Sequence, residues 1–191
     1  GIGELRGQAL AVKRFDRGPD GPVHIEDFAQ VFNERPDDKY SAGSYRSIAK
    51  VLGIETGDDG IVEYIRRLVF STLIGNADMH LKNWSLIYKD QKTPSLAPAY
   101  DLLSTIPYIK DDMAALKYSR IKRMSDVSKD EFMHLAAKAR LPEKLVVDTA
   151  VETIRRFKDV WDAEKHHLPL EKKVIDSVEA HAAQVTLYKE A

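Results

Sequence analysis

The chain has 191 residues, 29 Lys plus Arg against 30 Asp plus Glu for a formal net charge of −1, 43% hydrophobic residues and no Cys. That length fits one compact domain or one lobe of a larger protein, and the absence of Cys excludes a disulfide scaffold and any Cys-based zinc site. The near-zero charge excludes an overall field that would hold the chain to an anionic surface, so no direct nucleic acid binding is expected. The longest apolar stretches, such as Leu68 to Ile74, fall far short of the roughly 20 residues a bilayer crossing needs. The N-terminus also lacks a basic-then-apolar signal pattern. A soluble chain with no membrane partner and a cytoplasmic default compartment is predicted.

No period of 20 to 50 residues repeats and no segment is low in complexity, so a single globule is expected. Leu10 to Phe15 reads as a short strand entering from something upstream, and Asp16-Arg17-Gly18-Pro19-Asp20-Gly21-Pro22 follows as a dense turn. From His24 the pattern is helical, with Ile25, Phe28, Ala29 and Phe32 on one face until Pro36 blocks continuation. Ser44 caps a second helix through Leu52, with Gly53 at the left-handed position after its end. The third helix is the most apolar, because Ile61, Tyr64, Ile65, Leu68, Val69, Thr72 and Leu73 keep the 3.6 period up to Gly75.

Beyond Gly75 the run Asn76-Ala77-Asp78-Met79-His80-Leu81-Lys82-Asn83 is unlike a helix. Trp84 to Tyr88, a turn at Lys89 to Lys92, and Ser95 to Asp101 predict a β-hairpin, whose second arm Pro94 and Pro98 confine to an edge. A short extended piece is expected near Ala114 to Tyr118. Helices return after that: one capped by a Ser128–Glu131 box and running through Lys138, one from Pro142 through Trp161, and a last one from Pro169 to about Tyr188. The fold class is therefore mainly α, within α+β. His166 and His167 read as solvated residues at a charged helix end, and Phe157 with Trp161 as core.

Chemistry concentrates in Asp78, His80, Lys82, Asn83 and Asp101. A hairpin centred near Gln91 and Lys92 pairs residues whose numbers sum to about 184, which sets Asn83 opposite Asp101. An amide oxygen and a carboxylate are hard ligands that suit Mg²⁺ when phosphate oxygens and water complete its shell. Asp78, five residues before Asn83, can point into the same cleft and accept a proton from an attacking hydroxyl. Lys82 can neutralise charge developing on a transferred phosphoryl group. Taken alone, Asp78 also suits a turn after a helix end, Lys82 a solvated loop cation, and His80 a brace to a backbone carbonyl. Asp-x-x-x-x-Asn followed by a hairpin and a second Asp is the layout of phosphoryl transfer in protein kinases.

The run Gly75-Asn76-Ala77-Asp78-Met79-His80-Leu81-Lys82-Asn83-Trp84-Ser85, then Leu96-Ala97-Pro98-Ala99-Tyr100-Asp101-Leu102-Leu103-Ser104-Thr105, resembles the HipA family of toxin serine/threonine kinases. Lys13-Arg14-Phe15-Asp16-Arg17 resembles that family's Glu-Arg-Phe-Asp-Arg hinge, with Lys13 in place of Glu. The resemblance implies the helical C-terminal lobe of a protein-kinase-like fold, with one β-hairpin carrying the metal site. It implies Asp78 as catalytic base with His80 and Lys82 in the catalytic loop, and Asn83 and Asp101 as Mg²⁺ ligands. His80, Lys82, Asn83 and Asp101 would then meet ATP·Mg²⁺, while Lys13 and Phe15 meet adenine through backbone groups.

Divided on this basis, residues 1–22 form a hinge strand and turn, 23–75 helices, 76–105 the catalytic loop and metal-binding hairpin, and 106–191 a helical C-terminal part. Gly1 to Gly7 is glycine-rich but spaced unlike a nucleotide fingerprint, so a kinase N-terminal lobe is expected to be absent and the isolated chain inactive. Implied partners are ATP, that missing lobe, a HipB-like DNA-binding antitoxin, and a protein substrate that in several family members is an aminoacyl-tRNA synthetase. The implied compartment is the bacterial cytoplasm. Two rival readings are a non-catalytic helical module that binds an antitoxin or partner subunit, and a metal-dependent hydrolase liganded by Asp78, His80 and Asp101.

Overall fold

The computed structural model describes residues 12–19 and 21–191. It is an α+β fold in which helices build most of the core and the strands form two small sheets. The glycine-rich Gly1 to Gly7 stretch, and Leu10 and Ala11 of the expected entry strand, lie outside the described residues. Val12 to Phe15 is not a strand. The first strands are β1 (Arg17–Gly18) and β2 (Gly21–Pro22), paired antiparallel. The chain bends before them because Asp16 takes Arg14 and Arg17 on its carboxylate, at 2.6 and 2.8 Å, and accepts Val23 N–H on its carbonyl.

The stretch from His24 is a second departure from expectation. His24–Asp27 forms β3, pairing with Ser85–Tyr88 (β4), and only Phe28–Val31 is helical (α1). Strand pairing prevails because Ile25 meets Ile87 across the ladder, a partner that a helix-face count over the local residues cannot see. Asp27 makes the switch: its carboxylate accepts Gln30 N–H while the Gln30 side chain accepts Asp27 N–H, a complete capping box.

The helical body consists of α2 (Tyr45–Glu55), α3 (Gly57–Leu73), α4 (Lys129–Ala139), α5 (Glu143–Glu164), α6 (Lys172–Ala182) and α7 (Thr186–Glu190). Helix α3 is central, packed on α2 and α5, with α4 closing the group against both. Its apolar face, Ile61, Tyr64, Ile65, Leu68, Val69 and Leu73, is fully buried, as the periodicity requires. Ser44 caps α2 as expected, but the helix runs past Gly53 to Glu55 and the left-handed glycine is Gly57. Gly53 is instead a packing glycine, since a Cβ there would sit 2.4 Å from the Leu141 side chain.

In the C-terminal third, Ser128 caps α4 but Glu131 does not return the bond. Its carboxylate is buried and accepts Ser119 N–H, Arg120 N–H and the Arg120 guanidinium. The expected last helix is two helices, broken because Leu187 N–H reaches Val127 O and the Thr186 hydroxyl reaches Ser125 O. Near Ala114 to Tyr118, Ala114 N–H donates to Lys122 O and Tyr118 N–H to Ile121 O, a short doubled-back segment. Among the described residues no helix is long and apolar enough to cross a membrane.

The hairpin forms with Ser95–Leu96 (β5) at the edge of the sheet β3-β4-β5, as the prolines demand. Its register differs from the expected one. Leu86 faces Leu96 and Ile87 faces Ser95, so carrying the ladder outward sets Asn83 opposite Ala99 rather than Asp101. The connection is longer than a four-residue turn, running from Lys89 to Pro94, because the Asp90 carboxylate collects Lys92 and Thr93 N–H and widens the loop.

Candidate functional site

Helix α3 ends where Gly75 takes φ +68°, a conformation that favours glycine. The segment after Asp101 clasps this end. Gly75 O accepts Thr105 N–H, Ile106 N–H and the Thr105 hydroxyl, and Ser104 Oγ donates to Ile74 O. Ala77 N–H donates to Thr105 Oγ1, and Asn76 Oδ1 accepts Asp78 N–H, so the backbone that presents Asp78 is fixed from both sides. From the core, the Tyr45 hydroxyl donates to Met79 O at 3.0 Å. Burial pushes the phenols of Tyr45 and Tyr64 well up, which keeps them neutral donors.

Asn83 is the junction of the polar cluster. Its Nδ2 donates to Asp78 O at 3.1 Å and to Asp101 Oδ2 at 3.0 Å. The Asn83–Asp101 meeting that the sequence predicts therefore occurs, though not through strand register. Asp101 takes φ +54°, a left-handed bend that swings its carboxylate back across the hairpin mouth to Asn83. Asp78 Oδ1 accepts the Tyr40 hydroxyl at 2.6 Å. That bond comes first among the causes that push the Tyr40 phenol up to about 12, followed by burial and then by the charges of Asp78 and Asp101. Both carboxylates thus lie near enough to the Tyr40 phenol to act on its titration.

His80 is 6% exposed, edge-on to Tyr40 with ring centroids 5.0 Å apart, and its Nδ1 is buried with no hydrogen-bond partner. Burial depresses its pKa and the Lys39 ammonium adds to that, against an opposing pull from Asp78 and Asp101. The ring is neutral near pH 7 and packs against Tyr40, and among the described residues no hydrogen bond joins it to a backbone carbonyl, the brace that the sequence alone suggests.

Lys82, Lys13 and Phe15 lie in a neighbouring compartment. They line a cavity of about 500 Å³ together with Asp16, Asp27 and Tyr100. This volume is in the range of small-molecule sites. Tyr100 joins the two compartments: its hydroxyl donates to Lys82 O at 2.7 Å and accepts Ser85 Oγ at 2.5 Å, and its ring lies 5.7 Å from Phe15. Burial pushes its phenol up to about 12. Sequence reasoning missed Tyr40 and Tyr100. A Tyr directly before the Asp that ends the second hairpin arm was a signal available for Tyr100, whereas Tyr40 lies 38 residues from the carboxylate it touches.

The donor set of Asn83 and Asp101, one amide oxygen and one carboxylate, fits a Mg²⁺ ion that takes its remaining oxygens from phosphate and water. Among the described residues no three His, Asp or Glu side chains cluster closely enough to hold a metal by themselves. Asp78, His80 and Asp101 are thus not a three-ligand set, and the hydrolase reading has no geometric support.

The HipA-like C-terminal domain family matches residues 2–161. The chain belongs to that family. It is 66% identical over its whole length to "Putative kinase Y4dM" of Sinorhizobium fredii, spanning 47% of that protein. It is 29% identical over 169 residues to "Putative kinase Y4mE" of the same organism, where 77% of this chain matches 39% of the relative. The chain thus spans about half the length or less of these curated relatives. Among solved structures, the Shewanella oneidensis MR-1 toxin–antitoxin complex of HipA, HipB and operator DNA matches with a TM-score of 0.73 at 20% identity. That match covers 91% of this chain and 46% of the other. At that identity the likeness establishes the fold.

Proposed function

We propose that this chain supplies the catalytic loop and metal-binding hairpin of a HipA-like serine/threonine protein kinase that moves the γ-phosphoryl group of ATP to a protein hydroxyl. The observation that carries the reading is the Asn83 amide bonded at once to Asp78 O and Asp101 Oδ2 beside a cavity of about 500 Å³. An amide that ties the Asp78 backbone to the Asp101 carboxylate, next to a compartment large enough for a nucleotide base, is an arrangement that Mg·ATP chemistry can use.

Asn83 and Asp101 would hold Mg²⁺, which when bound draws charge from the phosphate oxygens. Asp78 orients the acceptor hydroxyl and takes its proton on Oδ2, Oδ1 being engaged by Tyr40. Lys82, exposed at the cavity edge, sets positive charge beside the transferred group. Phe15 and Tyr100 wall the end of the cavity where an adenine can stack, and the backbone at Lys13 and Phe15 offers it polar groups.

On this reading the phosphate-cradling loop and strand lysine that kinases use come from an N-terminal lobe. The family and the fold shared with HipA support a toxin role with a HipB-like antitoxin as partner.

The test joins the chain to such a lobe and measures transfer from labelled Mg·ATP to protein. Asp78→Asn should lower the rate by about 10²- to 10⁴-fold, and Asp101→Ala should abolish the Mg²⁺ dependence of nucleotide binding. The chain alone should transfer negligible phosphate. Wild-type turnover in the Asp78→Asn protein would overturn the assignment.

A further inference from the structure

We infer that Tyr40 is a positioning residue that holds the Asp78 carboxylate in the orientation its proton transfer needs. The inference rests on the kinase reading above and goes beyond it, because Tyr40 comes from a different segment and belongs to none of the motifs.

Tyr40 follows the 3₁₀ turn Pro36–Asp38, and the turn is closed by its own backbone: Ser41 and Ala42 N–H both donate to Asp38 O. The segment is docked on the catalytic loop through Leu81 N–H to Lys39 O at 3.4 Å. Further along, Gly43 lies so close that a Cβ there would meet Leu81 Cδ2 at 3.3 Å. Tyr40 is 44% exposed, and on its inner side its ring meets the Lys39 ammonium 4.9 Å from its centroid and the buried His80 ring edge-on at 5.0 Å. From this position the phenol delivers its O–H to Asp78 Oδ1 at 2.6 Å.

The consequence for Asp78 is geometric. A carboxylate on a loop can rotate about its side-chain torsions, and a proton acceptor must lie within hydrogen-bond reach of the hydroxyl it serves. Tyr40 removes that freedom by engaging one oxygen. Among the described residues, Oδ2 has no hydrogen-bond partner and is left for the substrate. Asn83 fixes the backbone of Asp78 through its carbonyl, so main chain and side chain are set by two different elements. A neutral donor suits this role, because it orients the carboxylate while leaving it unprotonated, and the phenol pushed up to about 12 stays a donor across the working range.

The experiment uses the two-lobe protein described above, with Tyr40→Phe, Asp78→Asn and the double variant. Tyr40→Phe keeps the ring on His80 and removes only the hydroxyl. Its kcat should fall about 10- to 100-fold, the range for losing one hydrogen bond to a charged group. KM for ATP should stay within about twofold, because Tyr40 does not line the nucleotide cavity. A purely structural residue would instead lower the melting midpoint and shift both constants together. In the double variant the Tyr40 loss should vanish, since Asp78→Asn has already removed the group being oriented. An unchanged or raised kcat in Tyr40→Phe, alongside an inactive Asp78→Asn, overturns the inference and leaves the kinase reading standing. A fully active Asp78→Asn overturns both.

Discussion

A Cβ built on Gly75 would lie 2.8 Å from Ile106 Cβ and 3.2 Å from His181 Cδ2, at a backbone φ of +68°. Both facts penalise a side chain, the first by overpacking and the second by left-handed strain. Gly75→Ala should therefore destabilise the chain by about 2 to 4 kcal/mol, measured as a lower denaturant midpoint with an unchanged slope. Because Gly75 O also receives Thr105 and Ile106, the variant should loosen the loop before it unfolds the helices, visible as faster amide exchange at residues 105 and 106. The sequence marked Gly75 as a helix end. It did not mark Ile106, the neighbour that makes the position intolerant, because Ile106 arrives from a segment with no periodicity. Glu131 teaches the same lesson. Its spacing from Ser128 suggested a capping box, and burial turned the carboxylate toward Ser119 and Arg120 instead.

At the scale of elements, residues 24–35 carry the instructive disagreement. A helical reading places Ile25 and Phe28 on one face and a strand places them on opposite faces, and the deciding force is the partner strand β4, about sixty residues away in sequence. Asp27 sits at the switch and caps α1 through a reciprocal bond with Gln30. Asp27→Ala removes the cap and should cost about 1 kcal/mol, seen as a drop of a few degrees in the melting midpoint. Asp27→Asn should recover most of it, since the amide oxygen can still accept Gln30 N–H. The hairpin shows how far local rules reach. Pro94 and Pro98 correctly confined β5 to the sheet edge, while the loop length, and with it the register, depended on Asp90 collecting two backbone N–H groups.

For the molecule as a whole, pH should act through buried histidine. His181 is nine-tenths buried and donates from Nε2 to Thr72 O, tying α6 to the end of α3. Burial lowers its pKa, against smaller opposing effects from that bond and from Asp112. With the folded pKa below the unfolded value of about 6.5, the unfolded chain binds the extra proton first. Stability is then complete above about pH 6.5 and declines as pH falls below it. His80, lowered for the same first reason, adds in the same direction. Asp16, held near 2 by Arg14, contributes only at much lower pH, where its ion pairs are lost as the carboxylate protonates. Melting midpoints recorded from pH 7.5 to 5 should fall. His181→Gln, whose amide can still donate to Thr72 O, should flatten that decline, and an equal slope in the variant would count against His181 as its source.

The sequence by itself determined the helical body and the family. Apolar residues at helical spacing can be buried only on one face, and a run of polar residues after a glycine has few ways to continue. It also determined which side chains carry oxygen near one another along the chain, Asp78 and Asn83 above all. Tertiary structure alone decided how they meet. Asp101 reaches Asn83 through a left-handed bend rather than a strand pair, and Tyr40 reaches Asp78 across 38 residues. Tyr100 links the polar cluster to the cavity lined by Lys82, Lys13 and Phe15. Periodicity and turn chemistry act over a few residues, so they fix elements. Contacts between elements depend on the packing of all of them at once, and only the folded chain resolves that.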